Sequence, residues 1–175
     1  ILLAGYYGFG NLGDEAILEM AIKQILEITD RKNITVLSGN KEATRKKYKV
    51  DTIDRYNVFS IVNRLVKSDA VVFGGGSLLQ DITSKRSIYY YLFLIRLAKI
   101  MNNKVIMLSQ GIGPIVSENS ITAVKRTLKF IDYITVRDKN SMEFLENIGM
   151  DKNRIFLSTD PVINLKEGEI HPKKS

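Results

Sequence analysis

GYYGFGNLGDEAIL, residues 5–18, stands between the apolar run ILLAG and a helix-length amphipathic stretch. Gly8, Gly10 and Gly13 repeat the spacing G-x-G-x-x-G, and a strand, a glycine turn and a helix in that order open a parallel βαβ unit. In a dinucleotide-binding fold the helix start carries a pyrophosphate, because its free N–H groups and its dipole favour an anion. Here Asp14 and Glu15 follow the glycines at once. The turn has the form of a nucleotide site and the wrong charge for one.

The same alternation continues along the chain. Strand-like runs ILLAG, ITVLSG, AVVFGGG, KVIMLSQG, YITVRD and RIFLSTD are separated by helical patterns expected at 14–28, 58–67, 87–101, 117–130 and 140–148. Near-continuous apolar runs such as Val71 to Phe73 and Val105 to Leu108 suit a parallel sheet covered on both faces. This predicts an α/β fold, a doubly wound Rossmann-like domain over residues 1–165, with 166–175 as a polar tail or linker. Residues 40–57 carry no legible pattern, and the basic run Arg45 to Lys47 within them reads as a solvated face. In such a sheet the ligand crevice lies beyond the carboxyl ends of the strands, where the strand order reverses. The loops expected there, YYGFGNLGDE, SGN, GGGSLLQD, SQGIGP, RDKNS and STDP, are rich in glycine and small polar residues. That enrichment predicts a backbone that approaches a ligand closely.

Composition narrows the chemistry. The chain has 175 residues, a formal net charge of +7, no cysteine and a single histidine, His171, in the polar stretch KEGEIHPKKS. Thiolate metal sites, cysteine nucleophiles and Ser-His triads are thereby excluded for these residues. The positive charge favours anionic partners without choosing among them. The longest apolar stretch, SIYYYLFLIRLAKIM, is interrupted by Arg96 and Lys99 before the roughly 20 residues a spanning helix needs. It reads as a helix buried on one face, with contact to a membrane or partner as the alternative. An opening on ILLAG without Met and an end on HPKKS lead us to expect a piece of a longer protein.

Two nucleotide readings fail on the residues. A nicotinamide site needs an acid at the end of the second strand, about 20 residues past the glycines, and LSGN ends there instead, with Ser38 and Asn40. A P-loop needs lysine after its last glycine, and GGGSLLQD has none. Asn11, Asp14 and Glu15 then have two readings, as helix caps or as acceptors for sugar hydroxyls, one carboxylate also serving as general base. Tyr6, Tyr7 and Phe9 would offer aromatic faces to a sugar ring or pack internally.

Taken together, GYYGFGNLGDEAIL, VVFGGGSLLQD, SQGIGP and YITVRDKNS resemble the polysaccharide pyruvyltransferase family, most closely its CsaB-type members. The resemblance implies transfer of a pyruvyl group from phosphoenolpyruvate to a sugar, with no cofactor beyond that donor substrate. For CsaB-type enzymes it implies an N-acetylmannosamine unit of a lipid-linked or polymeric secondary cell-wall precursor, used to anchor S-layer proteins. It implies a cytoplasmic enzyme, working at the inner face of the membrane if it makes peripheral contact there, with no nucleic-acid partner. It also implies a GT-B-like pair of Rossmann-like halves, of which this chain matches the N-terminal one. The family's essential histidine lies in the other half, and His171 matches no motif. A nucleotide-sugar glycosyltransferase half and a noncatalytic sugar-binding module are the alternatives.

On that reading Asp14 and Arg137 carry the chemistry. Arginine presents a planar fork that suits a carboxylate or phosphate, unless Arg137 is spent on a salt bridge to Asp138 or Asp160. Substrate contacts are expected from Gly10, Asn11, Gly13 and Glu15, from Gly75, Gly76, Ser77, Gln80 and Asp81, from Gln110, Gly111 and Gly113, and from Ser141. Turn and cap roles remain open for Ser77, Gln80, Asp81 and the Gln110 loop.

Overall fold

The computed structural model describes residues 1–82 and 84–158. Its strands are β1 (Leu2–Ala4), β2 (Thr35–Ser38), β3 (Asp51–Asp54), β4 (Ala70–Phe73), β5 (Gly76–Leu79), β6 (Lys104–Ile112), β7 (Tyr133–Val136) and β8 (Ile155–Leu157). Its α-helices are α1 (Leu12–Leu26), α2 (Lys41–Tyr48), α3 (Val58–Val66), α4 (Lys85–Ile100), α5 (Glu118–Leu128) and α6 (Lys139–Asn147). One sheet runs in the order β3-β2-β1-β4-β6-β7-β8, and β5 pairs with the end of β6 where β4 has stopped. Every pairing is parallel. This is the expected α/β Rossmann-like architecture, and its order reverses between β1 and β4, the point beyond which open α/β sheets place their ligands.

Alternation along the strands builds two cores, as a sheet covered on both faces requires. Leu2, Ala4, Val71, Phe73, Val105 and Met107 pack with Ile61 and Leu65 of α3 and with Ile88, Tyr91, Leu92, Ile95 and Ala98 of α4. Leu3, Val36 and Val72 point the other way and meet Leu18, Ala21, Ile22 and Ile25 of α1. The helix positions recur every three or four residues, so each helix presents one apolar stripe. Each of the valine, leucine, isoleucine, phenylalanine and methionine side chains among them contributes roughly 1.5–3 kcal/mol relative to exposure.

The structure departs from the sequence reading in four places, the first being GGGSLLQD, read as a loop, which contains strand β5 over Gly76–Leu79. Residues 40–57 resolve into α2 and β3. Asn40 caps α2 by accepting from Ala43 N at 3.1 Å, Lys49 ends it at φ +54°, and Thr44 and Tyr48 are the buried residues of that helix. Two buried residues in eight are too few to leave a readable period, while Arg45, Lys46 and Lys47 stay exposed, as expected. Helix α1 starts at Leu12, so Asp14 and Glu15 lie inside its first turn. Finally, β6 extends to Ile112, so Gln110 and Gly111 belong to a strand rather than to a loop, past an irregularity marked by Ser109 at φ +46°. No helix among the described residues is long and apolar enough to cross a membrane. Asp160, Pro161, the boundary expected at 165 and His171 lie outside the described residues.

Candidate functional site

Because all strands run parallel, the segments that follow β1, β4, β6 and β7 emerge at one edge of the sheet, and their contacts show them converging. The first of them folds largely onto itself. Tyr7 turns inward and is fully buried between Gly5 and Gly74, where a Cβ on either glycine would overlap its ring or hydroxyl. Its side chain therefore fills the gap between the ends of β1 and β4. Gly39 similarly makes room for the Phe9 ring, and Gly8, at φ +81°, for Ser38 and the backbone of Asn40. Several glycines that predicted a close ligand thus accommodate the protein's own side chains.

The two carboxylates that follow the glycines, Asp14 and Glu15, divide their work. Glu15 is internally committed, since one oxygen accepts from Gly8 N at 2.8 Å and the other from the Tyr48 hydroxyl at 2.9 Å. Asn11 caps α1, its Oδ1 accepting from Gly13 N at 3.0 Å and Asp14 N at 3.4 Å. The Asp14 carboxylate instead faces the glycine loop, with Oδ1 at 3.6 Å from the place a Cβ on Gly76 would take. Burial, then the neighbouring Glu15 charge, pushes the Asp14 carboxyl above the usual carboxylate range, and the Arg55 charge opposes this. An acid held in that way is a stronger base than one in water.

On the other side of the same short backbone stands Arg137. Its Nη2 donates to Ser77 Oγ at 3.3 Å, and its guanidinium lies over Gly111, where an added Cβ would come within 2.9 Å of Nε and Nη2. Asp138, a candidate partner for it, instead caps α6 by accepting from Ser141 N at 2.7 Å and from Ser141 Oγ at 2.9 Å. Ser141 Oγ in turn accepts from Ile112 N at 2.9 Å and ties α6 to β6. A half-buried acid and an exposed cation thus lie against the successive residues Gly76 and Ser77.

The remaining predicted residues support this strip. Gln110 is fully buried, and its Nε2 donates to Gly74 O at 2.6 Å and Leu108 O at 3.0 Å, so it props the glycine loop from below. A Cβ on Gly75 would meet Ser109 O at 3.2 Å. Asp81 is buried and accepts from Val116 N at 2.8 Å and Ser117 N at 3.0 Å, stapling the segment after β6 to that after β5, while Gly113 N donates to Leu79 O at 2.8 Å. Gln80 is partly exposed beside Asp81. Gly10, at φ +77°, has open space around it, and Gly13 is exposed in the first turn of α1.

The sequence motifs in register with this edge have a match. The family model described as polysaccharide pyruvyl transferase covers residues 11–174. The chain belongs to the polysaccharide pyruvyl transferase family. A comparison with curated proteins returns no match. The match to the pyruvyl transferase family begins at the α1 cap and takes in Asp14, Gly76, Ser77 and Arg137 together.

One residue of this pyruvyl transferase edge escaped sequence reading. Arg55, directly after β3, is only 3% exposed. It donates to Gly5 O at 3.2 Å and to the Tyr91 hydroxyl at 3.3 Å. Its guanidinium lies 4.7 to 5.8 Å from the ring centroids of Tyr90, Phe9, Tyr56, Tyr6 and Tyr91. No described carboxylate forms an ion pair with it; the aromatic faces solvate the charge instead. Arg55 therefore pins the β1 loop, with its stacked Tyr6 and Phe9 rings, to α4. The signal was positional: had 51–54 been read as a strand, Arg55 would have been placed at its carboxyl end with the other site residues.

Proposed function

We propose that this pyruvyl transferase moves the pyruvyl group of phosphoenolpyruvate onto two hydroxyls of a sugar in a cell-wall polysaccharide precursor. The observation that carries the reading is the placing of Asp14 and Arg137 against Gly76 and Ser77. Asp14 takes the proton of a sugar hydroxyl as its oxygen adds to the enolpyruvyl carbon. The methylene carbon gains a proton and becomes a methyl group. The carbon–oxygen bond to phosphate breaks, inorganic phosphate leaves, and the second hydroxyl closes the ketal while losing its own proton. Arg137 holds the donor's carboxylate or phosphate through two parallel hydrogen bonds.

On this reading the acceptor is an N-acetylmannosamine unit of a secondary cell-wall polymer, as in CsaB-type enzymes, and the pyruvate serves S-layer anchoring. The chain forms the N-terminal half of a GT-B-like pair, and the acid for the methylene carbon comes from the other half. The reaction runs in the cytoplasm, where the donor is made.

Kinetics of the full-length enzyme at varied donor and acceptor test the assignment. Arg137→Ala is expected to weaken use of phosphoenolpyruvate about tenfold or more, through the loss of its charge-assisted hydrogen bonds. Asp14→Asn is expected to impair the acceptor side and kcat. Arg137→Ala with wild-type donor dependence, or Asp14→Asn with altered donor dependence alone, in variants folded by circular dichroism, would overturn the roles given to them.

A further inference from the structure

Away from the site, charge and exposed apolar area coincide on one face. From Arg86 to Phe130 the chain carries seven basic residues and one acid, Glu118, which leaves six of the seven net positive charges in this stretch. Along α4 the exposed positions are Arg86, Tyr89, Phe93, Arg96 and Ile100, a continuous stripe at helical spacing. Its apolar members are well exposed, with Tyr89 at 44%, Phe93 at 46% and Ile100 at 73%. The end of this stripe lines a groove with Lys99, Arg126, Lys129 and Phe130, formed where α4 packs on α5. Arg96 is braced there by its bond from Nε to Thr127 Oγ1 at 3.1 Å. Lys99 is neutralised by Asp132 at 2.8 Å, the carboxylate that faces this region from the start of β7. Arg86, Arg96, Arg126 and Lys129 form no ion pair with a described carboxylate.

We propose that this α4–α5 face docks the protein on an anionic lipid surface. Cations attract the headgroups, and the rings and Ile100 between them enter the boundary with the acyl chains, the division of labour of an interfacial amphipathic helix. Charge alone would fit any polyanion. Exposed Phe93 and Ile100 among the arginines favour lipid, because a nucleic-acid backbone gains nothing from them. The face is independent of the pyruvyl transfer reading, so the test uses binding without turnover.

Sedimentation of the full chain with vesicles decides it. Binding is expected to vesicles of phosphatidylglycerol and phosphatidylcholine in equal parts, with none to phosphatidylcholine alone, and it should weaken steeply as salt is raised. Each neutralised arginine should cost about fivefold in affinity, so Arg96→Gln with Arg126→Gln should cost about 25-fold. Phe93→Ser with Ile100→Ser, which leaves the charge unchanged, should also weaken binding severalfold. Absence of binding to the mixed vesicles, equal binding to both vesicle types, or indifference to both pairs of substitutions in folded variants would each overturn the proposal. So would binding to a single-stranded oligonucleotide, or self-association, that depends on these residues while vesicles are ignored.

Discussion

A buried hydroxyl without a partner lowers stability, and Tyr7 carries one in the gap between β1 and β4. Gly74 is glycine because that hydroxyl leaves no room for a Cβ, and with the hydroxyl gone the nearest ring atom would stand 3.1 Å away. Gly74→Ala should therefore destabilise by about 1–3 kcal/mol, as overpacking does. Tyr7→Phe should be neutral or stabilising by up to about 1 kcal/mol. The double variant should recover part of the loss, giving a coupling of about 1 kcal/mol between the two sites in urea denaturation. Strictly additive effects would show that the hydroxyl is not what excludes alanine. Asp14 and Glu15, adjacent acids in one helical turn, have separate duties, and nothing in their spacing says which is tied to Gly8 and which faces Gly76.

Among the elements, β6 does most to shape the site, because the residue that supports the glycine loop comes from inside it. Three carbonyls surround the Gln110 amide nitrogen, from Gly74, Leu108 and Phe73. Gln110→Leu keeps much of the volume and loses the donors, at about 1–3 kcal/mol. Gln110→Glu should cost more, since it turns an acceptor or a buried charge toward those same carbonyls. Urea midpoints in that order, wild type above Leu above Glu, check the assignment, and a Glu variant as stable as wild type would sink it. The element pattern itself was legible wherever burial was deep enough to leave a period, as in α1, α4 and the central strands. It was not legible in α2 and β3, at the sheet edge, where only Thr44, Tyr48 and Thr52 are buried, and Arg55 was lost with them. The motifs announced which edge of the sheet carries the glycine loops. They did not announce that Gly5, Gly8, Gly39 and Gly74 serve internal packing, because a glycine reports a lack of space without naming what fills it.

For the molecule as a whole, Asp132 links the end of α4 to the start of β6 and β7. One of its oxygens accepts from Lys99 Nζ at 2.8 Å and Val105 N at 2.7 Å, and the other lies 3.6 Å from Lys104 Nζ. Burial alone would raise its carboxyl, but the Lys99 and Val105 hydrogen bonds and the two lysine charges outweigh it and hold it below the usual range. A depressed folded pKa stabilises above the unfolded value, about 3.9, and that contribution is lost as pH falls through the folded one. Asp132→Asn should accordingly lower Tm at pH 7, with the gap to wild type closing under strongly acid conditions. An equal gap at both extremes would mean that the effect is shape rather than charge.

The contacts that assemble the candidate site also have a temporal meaning. Arg137 meets Ser77 across 60 residues of chain, Arg55 meets Gly5 across 50, and Gln110 meets Gly74 across 36. Closing spans of that length must be repaid by the sheet itself, so none of these pairs can form as a local nucleus. The site is consequently a late product of folding, and a nascent chain gains the pairing of Ser77 with its cation only once β7 has joined the sheet.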